Sequence, residues 1–290
     1  MITYNDVYLE TRRRLRAAGI QASDLEARLL VAFVAGKSRE ELLRDGRLLV
    51  ADGTSVREID RMVTRRINGE PVAYIVGEWE FYGLPVTVNE SVLIPRVDTE
   101  VLAQEVIALM KRRGGRTRLL DLCAGSGCVG LVVAQNVPTC RVILADNCPE
   151  ALKICRENML RNKLTHNVTV IEADALSDPP KLLGMFDAIV SNPPYIPTED
   201  IANLDQSVRD YEPVVALDGG PDGLKFFRAI AQRWKTLLKD GGHLALECGA
   251  GQAEDVRDIL KKEFDGLRTI TDTGGIERVV TGKLKDQGGT

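Results

Sequence analysis

The chain has 290 residues, 44% of them hydrophobic and 28% charged, and carries a net charge of −4. That length suits two domains better than one, with enough apolar material for a real core. The acidic balance argues against a protein that grips nucleic acid unaided, because Lys and Arg on phosphates normally supply that affinity.

Residues 1–70 hold 13 Lys and Arg against 11 Asp and Glu, and the rest hold 25 against 31, so the acid excess sits in the main body. Met1–Leu15 is polar, with Arg12, Arg13 and Arg14 and no apolar run of signal-peptide length. No stretch approaches the length needed to span a bilayer. Cys123, Cys128, Cys140, Cys148, Cys155 and Cys248 form no C-x-x-C pair, and only His166 and His243 could join them. No metal site is therefore expected, and reduced thiols in the cytoplasm are the reading adopted.

Residues 1–70 read as a small four-helix module. Ser23 with Glu26, Ser38 with Glu41 and Ser55 with Glu58 have capping-box spacing. Leu25, Leu29 and Phe33, then Ile59, Met62, Val63 and Ile67, recur at helical spacing. Asn68-Gly69-Glu70-Pro71 stops the last helix. Residues 71–96 read as a β-hairpin linker, from Trp79, Phe81, Tyr82, Gly83, Leu84, Pro85, Val86 and Val88. A helix is expected from Asp98 or Thr99 to about Lys111.

From Arg118 onward short apolar strands alternate with helices. Strands are expected at Leu119–Leu122, Arg141–Ala145, Val168–Glu172, Phe186–Val190 and His243–Glu247. Helices are expected at Val129–Gln135, Pro149–Arg161, Leu224–Leu238 and Ala253–Glu263. That rhythm predicts an α/β domain over 97–282 with a mostly parallel sheet. Leu267–Ile270 and Arg278–Thr281 end it as an antiparallel hairpin, and 283–290 are expected to be a disordered tail.

Asp121-Leu122-Cys123-Ala124-Gly125-Ser126-Gly127 joins the first parallel strand to a helix. Glycines there let the backbone turn sharply and approach a ligand, and the helix N-terminus favours an anionic group. Gly125, Gly127 and Gly130 also fit G-x-G-x-x-G, so a dinucleotide stays open. Asp146, ending the next strand, can accept two ribose hydroxyls without saying which cofactor carries them. Asp174, after the third strand, can meet an adenine amino group or be a plain loop aspartate.

Asn192-Pro193-Pro194-Tyr195 follows the strand Phe186–Ser191 and is the most specific feature. Two prolines remove N–H donors, keep their carbonyls and stiffen the loop. Asn192 adds a side-chain carbonyl. Such a loop suits an NH2 acceptor whose lone pair is delocalised, as in an amide. The Asn192 side chain and the Pro193 carbonyl can hold both N–H bonds while positive charge grows on nitrogen, and alignment contributes the rest. Tyr195 can lie flat against a planar group. No base is needed before attack.

With both loops in view, the chain resembles class I (Rossmann-like) methyltransferases, and more narrowly the HemK family of protein-(glutamine-N5) methyltransferases. The resemblance covers nearly the whole chain. It includes Gly77, Phe81-Tyr82-Gly83, Leu93-Ile94-Pro95-Arg96 and Thr99-Glu100. It also includes Tyr211-Glu212-Pro213, Ala216-Leu217, Gly219-Gly220, Asp222-Gly223-Leu224, Asp272, Gly275 and Arg278-Val279-Val280.

The resemblance implies S-adenosylmethionine as cofactor, with Asp121, Cys123, Ala124, Gly125, Ser126, Gly127, Asp146, Asp174, Ala175 and Asn192 as candidate cofactor residues. It implies that Asn192, Pro193, Pro194 and Tyr195 hold a glutamine, Asn192 and Pro193 being catalytic. The implied partner is a peptide chain release factor, methylated in its Gly-Gly-Gln loop and docked with help from the N-terminal helices. A monomer without stable nucleic-acid or membrane binding is expected. Cys123 stands where Gly is common, so its backbone should not need φ > 0. Val97-Asp98 replaces a common Pro-Glu. Cys123 and Cys128 are read as packed thiols rather than nucleophiles.

Three other readings fit part of the pattern. An adenine-N6 methyltransferase on DNA or RNA meets the same geometric problem, but must flip a base and grip a backbone. A nicotinamide oxidoreductase leaves Asn192–Tyr195 unexplained. A non-catalytic ribosome- or release-factor-binding module would not need the acceptor loop.

Overall fold

The computed structural model describes residues 2–50 and 53–285. In chain order come α1 (Tyr4–Ala17), α2 (Ser23–Ala35), α3 (Arg39–Arg44), α4 (Gly53–Ile67) and α5 (Val72–Val76). Then follow β1 (Glu78–Phe81), β2 (Leu84–Thr87), α6 (Thr99–Arg113), β3 (Thr117–Leu122), α7 (Cys128–Asn136), β4 (Cys140–Asp146), α8 (Pro149–Arg161), β5 (Val168–Glu172) and β6 (Phe186–Ser191). The chain ends with α9 (Gln206–Arg209), α10 (Lys225–Arg233), β7 (Leu238–Glu247), α11 (Ala253–Leu260), β8 (Phe264–Thr271) and β9 (Glu277–Leu284). Among the described residues, no helix is long and apolar enough to cross a membrane.

Two compact units divide the chain. The first runs to Glu78 and adds Asp205–Tyr211; the second holds Trp79–Leu204 and everything from Glu212. The first unit is therefore not one continuous stretch, a feature that local sequence patterns cannot express. Its returning segment is fixed within the unit by Tyr211, whose hydroxyl donates to the Asn68 carbonyl at 3.2 Å.

Only one of the three expected capping boxes forms. Ser38 Oγ accepts from Glu41 N at 3.1 Å, while Glu41 accepts from Ser38 N at 2.8 Å. Ser23 is already helical, behind an Ala22 cap that makes no side-chain bond, and Ser55 lies inside α4. A box that spacing did not pick out, Thr3 with Asp6, starts α1.

The expected apolar face holds for α4 at Ile59, Met62 and Val63, which are buried, but not at Ile67, which is exposed at the helix end. It is wrong for α2. Leu25 and Phe33 are exposed, and Ala27, Leu30 and Val31 form the core side. The stretch Leu29–Ala35 is apolar almost all round, so periodicity could not choose a side. The buried side also carries Glu26, which is neutralised by Arg66 of α4 at 2.6 Å.

The second unit opens with the β1–β2 hairpin. Tyr82 and Gly83 have φ of 52° and 74°, the two positive values a type I′ turn requires. Glu100 of α6 accepts from the Tyr82 N–H at 3.0 Å. The main sheet has the order β5-β4-β3-β6-β7-β9-β8. Its first five strands are parallel, and β9 runs antiparallel between β7 and β8. Lys283 and Leu284, expected in the tail, are instead strand residues: Lys283 lies opposite His243 and Leu284 opposite Phe264. Lys285 is also held, its N–H donating to the Glu263 carbonyl at 3.0 Å, and the remaining residues of that expected tail, 286–290, lie outside the described residues.

Strand order reverses at β3, which has β4 on one side and β6 on the other. The loops after β3 and β6 therefore flank the topological switch point, where open α/β sheets bind ligands. Leu120, Leu122 and Ile189 pack on one face with Phe227, Trp234 and Val256. On the other face α7 lies tight against β3 and β4. A Cβ on Gly130 would run into the Leu144 side chain and come within 2.9 Å of Asp121 Oδ2 and 3.0 Å of Val142. Gly130→Ala gains helix propensity worth about 1 kcal/mol but overpacks the contact by about 1–3 kcal/mol. The expected result is a net loss and a melting temperature lowered by about 2–5 °C. A rise in melting temperature would show that α7 has room to move off the sheet.

Candidate active site

β3 delivers the glycine loop with its direction already fixed. Ala124 N donates to the Ala145 carbonyl at 3.0 Å, and Gly125 N donates to Asp146 Oδ2 at 2.9 Å. The other Asp146 oxygen accepts from Cys148 N at 3.0 Å. Both oxygens keep lone pairs for further donors. Burial pushes the Asp146 carboxyl upward against the backbone bonds that favour its charge. A Cβ on Gly125 would meet nothing within 4 Å, so the loop is open on that side. Behind it, buried Asn158 of α8 donates to the carbonyls of Ser126 and Thr87, both at 3.0 Å, joining the loop to the β1–β2 hairpin. Gly127 caps α7.

Asp121 is 2% exposed and accepts from Gly130 N at 2.8 Å. Burial pushes its carboxyl up to about 7. Asp174 accepts from Leu176 N and from the Ser177 hydroxyl, both at 2.9 Å, as a turn-capping aspartate does. Ala175 offers its carbonyl to Trp234 Nε1 at 3.0 Å.

The second loop is tied to the first. Ser191, the last residue of β6, donates its hydroxyl to the Leu122 carbonyl at 2.6 Å. Asn192 Nδ2 donates to Thr99 Oγ1 at 3.2 Å. The Tyr195 carbonyl accepts from Gln252 Nε2 at 2.9 Å, and Gln252 Oε1 accepts from Gly249 N at 2.9 Å. Gly223 has φ of 72°, and any Cβ there would strike the Tyr195 carbonyl. The Asn-Pro-Pro-Tyr loop thus rests on backbone with no side chain to spare.

One cavity of about 550 Å³ joins the two loops. It is lined by Asp121, Cys123, Ala124, Gly125, Ser126, Asp146, Asp174, Ala175, Asn192 and Pro194 among the expected residues. Gly127, Pro193 and Tyr195 are not in its lining. Thr99, Arg96, Val214, Val215, Lys225 and Phe226 are also in the wall. Motif reading gave these no site role. Arg96 is held by Glu212, whose carboxylate is buried and also accepts from Ile94 N at 3.1 Å. The conjunction of Pro95-Arg96 with Tyr211-Glu212-Pro213 in one pattern was the available signal.

Three carboxylates, Asp121, Asp146 and Asp174, stand on the side of the cavity near the glycine loop. They suit a ligand with a diol and positive charge. A diphosphate would meet like charge there.

The chain is 38% identical over 277 residues to a release factor glutamine methyltransferase of Agrobacterium fabrum, covering 94% of each chain. It is also 38% identical over 284 residues to the release factor glutamine methyltransferase of Geobacter sulfurreducens, again covering 94% of each. This chain belongs to the release factor glutamine methyltransferase family. The PrmC N-terminal domain matches residues 6–77 of this family member, and the methyltransferase small domain matches 97–206. A solved methyltransferase from Pyrococcus furiosus, 17% identical with a TM-score of 0.50, covers 78% of this chain and 98% of its own and shares the fold.

This methyltransferase uses S-adenosylmethionine. The open side of Gly125 and the acid-lined cavity wall fit that cationic, ribose-bearing group.

Cys123 departs from expectation. Its φ is 58°, in the left-handed region that its residue type disfavours. The loop's backbone course is imposed by the Ala124 and Gly125 bonds to the neighbouring strand, and Cys123 bears the strain. Burial first, then nearby Asp146, pushes its thiol well up, and burial takes Cys128 up to about 12. Neither is a thiolate nucleophile near neutral pH. Cys123→Gly relieves about 1–2 kcal/mol of left-handed strain and returns about 0.4–1 kcal/mol in unfolded-chain entropy. A melting temperature raised by about 1–3 °C is expected. A fall would show that thiol packing outweighs backbone strain.

Proposed function

We propose that this enzyme transfers a methyl group from S-adenosylmethionine to the side-chain amide nitrogen of the glutamine in the Gly-Gly-Gln loop of a peptide chain release factor, in the cytoplasm. The observation that carries this reading is the single cavity shared by the glycine loop and Asn192, in a chain that belongs to the release factor glutamine methyltransferases.

S-adenosylmethionine, when bound, supplies an electrophilic sulfonium methyl. Asp146 accepts its ribose hydroxyls, and Gly125 and Ser126 let the backbone approach it. Cys123, Ala124 and Gly127 shape that loop, Asp121 braces it through Gly130, and Asp174 and Ala175 border the adenine side. At the acceptor end Asn192 Oδ1 and the Pro193 carbonyl accept the two amide N–H bonds. They hold the nitrogen in place and stabilise the positive charge that develops on it. Pro194 keeps the loop rigid, and Tyr195 supports it through Gln252. The methylated nitrogen then sheds its proton readily, so no histidine is needed; His166 and His243 lie outside the cavity lining.

The N-terminal helices, residues 1–70, dock the release factor, and the monomer acts without stable nucleic-acid binding. The test is peptide mapping of a treated release factor by mass spectrometry. One methyl on the glutamine side-chain nitrogen is expected. A methyl on any other residue would remove this reading.

A further inference from the structure

We infer that Gln252 is a positioning residue for methyl transfer: its side-chain amide, seated between the Gly249 N–H and the Tyr195 carbonyl, sets where the end of the Asn-Pro-Pro-Tyr loop lies. This rests on the acceptor role proposed for that loop.

The loop needs a hold from outside itself. Its start is fixed where Ser191 leaves β6, through the hydroxyl bond to the Leu122 carbonyl. Pro193 and Pro194 have no N–H, so neither can be held as a strand residue is. The next hold is on Tyr195, whose carbonyl accepts from Gln252 Nε2 at 2.9 Å. Ile196 continues it through the backbone, accepting from Gly219 N at 2.8 Å and donating to the Leu217 carbonyl at 3.0 Å.

Gln252 brings its bond from a rigid element. It directly precedes α11, its carbonyl accepts from Val256 N at 3.0 Å, and Ala253, Val256 and Leu260 of that helix are buried. The amide has one possible orientation, because the two groups it bridges cannot exchange roles. The Gly249 N–H only donates, so it takes Oε1 at 2.9 Å. The Tyr195 carbonyl only accepts, so it takes Nε2. Glycines leave room at both ends of the amide. A Cβ on Gly249 would come within 2.9 Å of Oε1, and one on Gly223 within 2.6 Å of Nε2.

The turn before α11 uses half of this side chain. Gln252 N already donates to the Gly249 carbonyl at 3.1 Å, and the bond from Gly249 N needs only an acceptor, which a carboxylate would supply as well. The NH2 half is what distinguishes glutamine from glutamate here, and its partner is the last residue of the acceptor loop. Gln252 is outside the cavity lining, so it acts on the acceptor through the loop and not by touching it.

The test is Gln252→Glu and Gln252→Met in the full-length enzyme, assayed at pH 8 with a release factor and S-adenosylmethionine beside the wild type. Glutamate, ionised at that pH, keeps the acceptor for Gly249 but turns a lone pair on the Tyr195 carbonyl, so the loop is pushed away. Methionine fills the space with neither bond, so the loop is released without being repelled. A misplacement of about 1 Å can cost about 10²-fold in rate, so a smaller shift is expected to lower kcat about tenfold in Gln252→Glu and about threefold in Gln252→Met. KM for the release factor and the dissociation constant for S-adenosylhomocysteine should stay within about twofold, since the glycine loop has its own bonds to Ala145 and Asp146. A side chain that only stabilised the turn would lower the melting temperature and leave kcat alone. Wild-type kcat in either folded variant, the reverse order of loss, or a fall in cofactor affinity that matches the fall in kcat would overturn the inference. Should Gln252→Glu fold poorly, Gln252→Met is held to the same kcat, KM and affinity criteria. Wild type inactive on release factors would instead remove the acceptor role on which the inference rests.

Discussion

Asn192→Ala is expected to lower kcat for release-factor methylation by about 10²- to 10³-fold, the cost of removing one preorganised hydrogen-bonding group at a site where charge develops. Affinity for S-adenosylmethionine should change little, because the Asn192 side chain is directed by Thr99 and the glycine loop is held by separate bonds to Asp146 and Ala145. The loop itself should survive. Its rigidity comes from Pro193 and Pro194 and from the Gln252 bond to the Tyr195 carbonyl, none of which involves the Asn192 side chain. Steady-state kinetics with a calorimetric measure of cofactor binding separates the two effects. Unchanged kcat would take Asn192 out of the reaction.

Asp146→Ala should act at the other end of the cavity. Hydrogen bonds to a charged acceptor contribute about 1.5–3 kcal/mol each. The variant loses such bonds to the ribose and also leaves Gly125 N and Cys148 N without their acceptor. Cofactor affinity is expected to weaken by about 30- to 150-fold, or roughly 2–3 kcal/mol. At saturating S-adenosylmethionine kcat should be largely restored, since Asp146 touches none of the acceptor residues. Titration calorimetry checks the first point and a cofactor series at fixed release factor checks the second. Unaltered affinity would mean that the ribose lies elsewhere.

The strands and helices of the second unit were legible because each is an apolar run bounded by turn residues, and β5 and α8 have the limits that the pattern indicates. Both loops were legible for a related reason: Gly and Pro in fixed positions after strands report backbone geometry directly. Sheet order was not, because alternation of strand and helix gives chain order without lateral neighbours. The switch point at β3 emerges only from pairing.

Single polar residues were least legible. Gln252 sits in an ordinary turn, without periodicity or spacing to mark it, yet it pins the Tyr195 carbonyl. Val214 and Val215 wall the cavity from a 3-10 turn, Val214–Ala216, whose sequence carries no regular pattern. Cys123 shows the opposite limit. A residue-type rule disfavours φ > 0 there, but bonds on either side of a loop can impose it.

The measurement that bears most directly on the central claim is transfer of labelled methyl from S-adenosylmethionine to a purified release factor. The control is the same factor with its Gly-Gly-Gln glutamine changed to alanine, and duplex and single-stranded DNA are assayed in parallel. Label on the wild-type factor alone is the predicted result. Label that persists in the alanine control, or that appears on DNA and not on the factor, would contradict glutamine methylation and favour an adenine amine as the acceptor in the same two loops.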